Sequence, residues 1–97
     1  MATASLSTHV LDTGAGRPAA GVAVELTSRG ELIATAQTGS DGRALLADKL
    51  APGVYRLAFE PPSEFFRRVE LEIELGEGHY HVPLIVSPYS CASYRGS

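Results

Sequence analysis

The stretch RVELEIELG (Arg68–Gly76) decides the fold. Val69, Leu71, Ile73 and Leu75 alternate with Glu70, Glu72 and Glu74. A period of two sends alternate side chains to opposite faces of a strand. One face is apolar and the other carries carboxylates, the pattern of an antiparallel sheet with one buried and one wet side. The same period recurs upstream. GVYRLAFE (Gly53–Glu60) sets Tyr55, Leu57 and Phe59 against Arg56 and Ala58, and GVAVELTS (Gly21–Ser28) sets Val22, Val24 and Leu26 against Ala23, Glu25 and Thr27. Further strands are expected at Leu6–Leu11, Leu32–Ala36, Arg43–Leu46, Tyr80–Val86 and Tyr89–Tyr94.

Turn chemistry separates these runs. TGAGRP (13–18) divides the first two, SRGE (28–31) reads as a hairpin, and GSDG (39–42) is a turn in which Gly42 can take positive φ. LAPG (50–53), EPPS (60–63) and GEGH (76–79) punctuate the rest. About eight short strands at regular spacing predict an all-β sandwich of two sheets. A helix fits only at Ser63–Arg67, for about one turn. Residues 1–97 read as a single domain, with no internal repeat.

Composition narrows the function. The chain has 97 residues, 44% hydrophobic and 20% charged, with a net charge of −3. A pI near 5.5 argues against nucleic-acid binding, which needs a basic face. A chain of this size buries roughly 65% of its unfolded surface, so association with further copies would add to a modest core. The single Cys91 cannot form an intrachain disulfide, which suits a reducing compartment. No apolar run approaches the roughly 20 residues a membrane helix needs. The start, MATASLSTHVLDT, shows no secretory pattern. A cytoplasmic protein without a membrane partner is expected.

The middle of the chain, from GRPAAGVAVEL through TGSDGR to LAPGVYRL, looks like many small β-sandwich modules. Each of its elements has a structural reason, so it speaks for a fold and not for an activity. The ends differ. LSTHVLDT (Leu6–Thr13), HYHVPL (His79–Leu84) and the terminal YRGS (Tyr94–Ser97) together resemble the 5-hydroxyisourate hydrolase family, the enzyme relatives of transthyretin. The resemblance covers nearly the whole chain in order.

That resemblance implies a two-sheet, eight-strand transthyretin-like (prealbumin-like) sandwich. It further implies a homotetramer, a dimer of dimers with sites in a central channel. The implied reaction is hydrolysis of 5-hydroxyisourate at its N1–C6 amide, giving 2-oxo-4-hydroxy-4-carboxy-5-ureidoimidazoline in urate catabolism, with no cofactor. Two departures stand out. Where the family has a short helix and a longer connection, Phe59 to Val69 is spanned here by EPPSEFFRR, so the helix is expected to be shortened or absent. Where the family ends YGYSTYRGS, this chain reads YSCASYRGS, with Cys91 at a position usually aromatic.

Opening a cyclic amide with water takes a base, a group to hold the oxyanion and groups to orient the ring. His is the natural base near neutral pH, and all three His of the chain lie in the motifs: His9, His79 and His81. Taken alone, His9 reads as a half-exposed strand residue, with Leu6 and Val10 on the opposite face. By resemblance it faces the channel and binds substrate. Arg43 alone reads as a solvated turn cation. By resemblance it points into the channel, where its donor fork suits the carbonyls of the substrate. His79 and His81, two apart on a strand, share a face at roughly 6.6 Å. The resemblance makes His81 the base and leaves His79 peripheral. His-x-His with a third His is also a ligand pattern of some catalytic zinc sites, and the resemblance argues against a metal.

In the tail, Tyr94 can stack on a planar ring, Arg95 can pair with a carboxylate, and Gly96 lets the backbone turn. Ser97 brings a hydroxyl and the α-carboxylate together, and a carboxylate beside an imidazole can raise its basicity. The expected catalytic set is therefore His9, Arg43, His81 and Ser97, with His9, Arg43 and Tyr94 binding substrate. Cys91, on one strand with Tyr89, reads as a small buried thiol, and Glu70, Glu72 and Glu74 as a solvated face. The competing function is a non-catalytic small-ligand carrier or binding module on the same sandwich.

Overall fold

The computed structural model describes residues 2–96. It is all-β, with strands β1 (Ala4–Asp12), β2 (Arg17–Pro18), β3 (Ala23–Ser28), β4 (Glu31–Gln37), β5 (Arg43–Leu50), β6 (Gly53–Phe59), β7 (Val69–Leu75), β8 (Gly78–His81), β9 (Leu84–Ser87) and β10 (Ser90–Ser93). One sheet is the antiparallel order β4-β3-β6-β7. The other is organised around β1, which pairs with β5 and β2 antiparallel and with β8 and β9 parallel. β10 closes that sheet against β9.

The sheets pack apolar face to apolar face. Leu6, Val10, Leu84 and Val86 meet Val24, Leu26, Leu57, Phe59 and Leu75, all essentially inaccessible to solvent. Fully burying such a side chain stabilises the fold by about 1.5–3 kcal/mol. The alternation expected for β1 is present: Ala4, Leu6, Thr8 and Val10 point inward, and Ser5, Ser7 and His9 outward. Buried Thr8 satisfies its hydroxyl by donating to Val82 O at 2.7 Å. Thr38 holds the entry to β3, donating from Oγ1 to Ala19 O at 2.6 Å and accepting from Val22 N at 2.9 Å.

Ten strands replace the expected eight for two local reasons. The two-residue β2 is a short bridge that the sequence had merged into a turn. The run expected as one strand, Tyr80–Val86, is two strands because Pro83 has no N–H to give to the ladder. Tyr89 lies in the β9–β10 turn, not on a strand with Cys91 as expected. The β3–β4 hairpin turns through Arg29 (φ 53°) and Gly30 (φ 78°), the doubly left-handed geometry that fits the twist of two-residue hairpins.

Ser63–Arg67, the one segment where a turn of helix fitted the sequence, forms none, in line with a helix expected to be shortened or absent. Ser63 Oγ accepts from the amides of Phe65 and Phe66 at 3.1 and 2.9 Å, as a helix cap would. β7 begins at Val69, so no room remains to propagate a helix. The connection between β6 and β7 is accordingly helix-free, as the short EPPSEFFRR segment implies.

Candidate active site

The outer face of the β1 sheet gathers the polar residues. Parallel pairing of β1 with β8 sets Ser5 opposite His79 and Ser7 opposite His81. Antiparallel pairing with β5 sets His9 opposite Arg43. Three strands thus bring His9, Arg43 and His81 together from positions far apart in the chain. The ring centroids of His9 and His81 are 6.4 Å apart. Ser7, Arg43, Leu45 and His81 line an open depression of about 280 Å³.

Arg43 is aimed by the turn before it. Asp41 Oδ1 accepts from Arg43 N at 3.0 Å, and Gly42 holds φ +79°. A Cβ on Gly42 would stand 2.5 Å from Val10 O and 3.2 Å from His9 Cδ2. The absence of a side chain at Gly42 therefore lets β1, β5 and the His9 ring approach one another.

His81 is half-buried, and Ser7 Oγ lies 2.8 Å from its Nδ1. Desolvation, followed by the charges of Arg43, His9 and His79, pushes its pKa below the ordinary imidazole value. The neutral ring, the form able to take a proton, is favoured. His9 Nε2 is buried without a hydrogen-bond partner among the described residues. A buried polar atom of this kind is costly unless something fills the position.

The tail packs on the site rather than away from it. Gly96 N donates to His81 O at 2.6 Å and forms a bridge to His81. A Cβ on Gly96 would lie 2.9 Å from His81 Cδ2. Replacing Gly96 with valine should therefore displace the His81 ring and lower kcat by about tenfold or more, while Tm, read by calorimetry, moves by only a few degrees. A variant with wild-type kcat would separate the tail from the site. Arg95, expected to pair with a carboxylate, instead lies over the Tyr80 ring at 4.1 Å. Tyr94 is exposed. Ser97 lies outside the described residues.

His79, set at the margin by the sequence, is joined to the site. Its Nδ1 is 2.6 Å from Ser5 Oγ and its Nε2 3.0 Å from Ser7 Oγ. Neither serine was singled out from the sequence: Ser7 lay within the expected strand Leu6–Leu11 and Ser5 just before it. The signal available was their spacing, since Ser5, Ser7 and His9 share one strand face. Among the described residues, no group of three or more His, Cys, Asp or Glu converges as a ligand set. Cys91 is half-buried against the core, and burial pushes its thiol pKa up, which suits an inert side chain.

Two imidazoles, a guanidinium and hydroxyls on the outer face of a two-sheet sandwich define a class: a β-sandwich protein whose site can move protons and hold a polar, planar ligand. The HIUase/Transthyretin family model matches residues 6–96. The chain belongs to that family. It is 40% identical to 5-hydroxyisourate hydrolase of Halalkalibacterium halodurans, over 95% of this chain and 97% of the relative. It is also 40% identical to the protein of the same name from Pseudomonas aeruginosa, over 95% of this chain and 90% of the relative. The first alignment runs over 115 positions, more than the chain possesses, so that relative carries residues with no counterpart here. Among solved structures, Klebsiella pneumoniae 5-hydroxyisourate hydrolase superposes with a TM-score of 0.88 at 36% identity, covering 97% of this chain and 99% of that one. Transthyretin from Sparus aurata superposes at 0.80 with 28% identity, covering 94% and 95%.

Proposed function

We propose that this chain hydrolyses 5-hydroxyisourate to 2-oxo-4-hydroxy-4-carboxy-5-ureidoimidazoline, using a water activated by His81. The observation that carries the reading is the convergence of neutral His81 with His9 and Arg43 on one sheet face, in a chain about 40% identical to curated 5-hydroxyisourate hydrolases. Nε2 of His81 removes a proton from water as the water attacks C6. The Arg43 fork holds the carbonyl oxygen as charge develops on it. His9 offers its unpartnered Nε2 to the ring, and the family resemblance assigns Tyr94 to substrate binding and Ser97 to catalysis. The reaction needs no metal and no cofactor; one zinc per chain in the purified protein, with activity lost to chelator and restored by zinc, would overturn that. The polar face distinguishes the reading from a hormone carrier on the same sandwich.

The direct test generates the substrate with urate oxidase and follows its ultraviolet decay; decay at the spontaneous rate would refute the assignment. The pH profile carries a second check. Neutral His81 is the active form, and its pKa is held below the ordinary value by burial first and by Arg43 next. The acidic limb of kcat/KM is therefore expected below about 6.5. Arg43→Ala removes a repelling positive charge and should move that limb upward. A limb that stays in place would remove Arg43 from the neighbourhood of the base. The sign for stability is parallel. A folded-state pKa below the unfolded one means the unfolded chain binds more protons, so this contribution is present above the unfolded value and falls as pH drops through that window.

Residues 1–97 form a single domain that assembles as a dimer of dimers. Leu45, 60% exposed beside the site depression, supports burial of this face against another copy, and native mass measurement would test it. No helix among the described residues is long and apolar enough to cross a membrane. A cytoplasmic location accords with a lone, unpaired cysteine.

A further inference from the structure

A base that takes a proton must also be relieved of it. The surroundings of His81 make this acute. It is half-buried and faces Arg43 from β5, His9 from β1 and His79 from its own strand, so an imidazolium held there is disfavoured. His79, two residues away on the same face, is exposed.

We propose that Ser7 and His79 form a proton relay serving His81, with Ser7 setting the tautomer of the base and His79 receiving the proton. The atoms form an unbroken chain of contacts. Ser7 Oγ is 2.8 Å from His81 Nδ1 and 3.0 Å from His79 Nε2, and His79 Nδ1 is 2.6 Å from Ser5 Oγ. A hydroxyl has one proton to donate, so a serine bonded to two ring nitrogens couples their tautomers. For His81 Nε2 to keep its lone pair, His81 Nδ1–H donates to Ser7, Ser7 donates to His79 Nε2, and His79 Nδ1–H donates to Ser5. When Nε2 of His81 takes a proton from water, its Nδ1 proton passes to Ser7 Oγ, and the proton of Ser7 passes to His79 Nε2. One proton enters at His81 and one is delivered to His79. His81 is left neutral with hydrogen on Nε2. As that hydrogen passes to the departing ring nitrogen, the reverse shift along Ser7 returns the proton from His79 to His81 Nδ1, so His81 stays neutral throughout and the base is restored.

The relay rests on the reading of His81 as the base, and the experiment keeps the two apart. Ser7→Ala removes the bridge, Ser7→Thr restores a hydroxyl, and His79→Ala removes the acceptor. Positioned proton transfer contributes about 10²–10⁴-fold to a reaction, and loss of the relay is expected to cost about tenfold in kcat with KM little changed. Ser7→Thr should recover most of the loss. His79→Ala should become dependent on buffer, with added imidazole raising kcat several-fold toward wild type. Wild-type kcat in Ser7→Ala, or a deficit in His79→Ala that imidazole does not relieve, would overturn the relay while leaving the hydrolase assignment intact. A readout independent of turnover is ¹⁵N NMR of the His81 ring. Hydrogen on Nδ1 is expected in the wild type, and on Nε2, the form free imidazole favours, in Ser7→Ala. Identical tautomers in the two proteins would overturn the relay. If the wild type shows no hydrolysis, the proposed function falls and the NMR result alone decides the relay.

Discussion

Replacing His81 with alanine is expected to lower kcat on 5-hydroxyisourate by about 10²–10⁴-fold, the usual worth of a positioned base, with little loss of stability. The reason is local. His81 is half-buried and is joined to Ser7, to Gly96 and, through Ser7, to His79. Its Nδ1 is fixed by Ser7, and burial favours its neutral form. His9 is its neighbour at 6.4 Å between centroids, but no partner among the described residues orients its Nε2. His9→Ala should therefore raise KM more than it lowers kcat. Ultraviolet decay of freshly generated substrate measures both variants. Near-wild-type turnover in His81→Ala would move the base elsewhere.

The second large effect falls on stability. Gly42→Ala is expected to cost about 2–4 kcal/mol, from a left-handed backbone angle and from a carbonyl that cannot move aside. The added Cβ would meet Val10 O at 2.5 Å and Pro18 Cβ at 2.9 Å, at the junction of β1, β2 and β5. For a domain of this size the loss corresponds to a fall in Tm of roughly 10–25 °C. Gly21 supplies the control. It too has positive φ, at 73°, but nothing lies within 4 Å of its Cβ position. Gly21→Ala should cost only the backbone strain, about 1–2 kcal/mol. Equal losses in the two variants, measured by calorimetry, would show that backbone angle alone, not the close approach, makes Gly42 necessary. Activity should fall further in Gly42→Ala than in Gly21→Ala, because Gly42 also abuts the His9 ring and precedes Arg43.

Much of the sandwich was legible because a strand with one buried face writes its period into the chain. RVELEIELG became β7 with its carboxylates outward, and GVYRLAFE became β6 with Leu57 and Phe59 sealed. The period is blind to which strands become neighbours. That β1 pairs with β8 in parallel is a long-range choice, made by packing. It alone converts Ser5 and Ser7 from unremarked strand residues into partners of two histidines. Pro83 lay inside a run read as one strand, and the fold divides that run on either side of it.

The tail shows the same division. YRGS read alone would pass for a frayed end. The motifs at both ends of the chain tied it to His9 and His81, but only the fold lays Gly96 against the His81 backbone at 2.6 Å and sends Arg95 to Tyr80. The sequence by itself determined the strand period, the turns that need glycine and the residue types able to do acid–base chemistry, because these depend on neighbours in the chain. The tertiary structure decided the contact of Ser7 with two histidines, the place of His79 and the burial that lowers the pKa of His81. Those depend on which groups are brought within a few ångströms after distant strands pair, where burial and nearby charge act together.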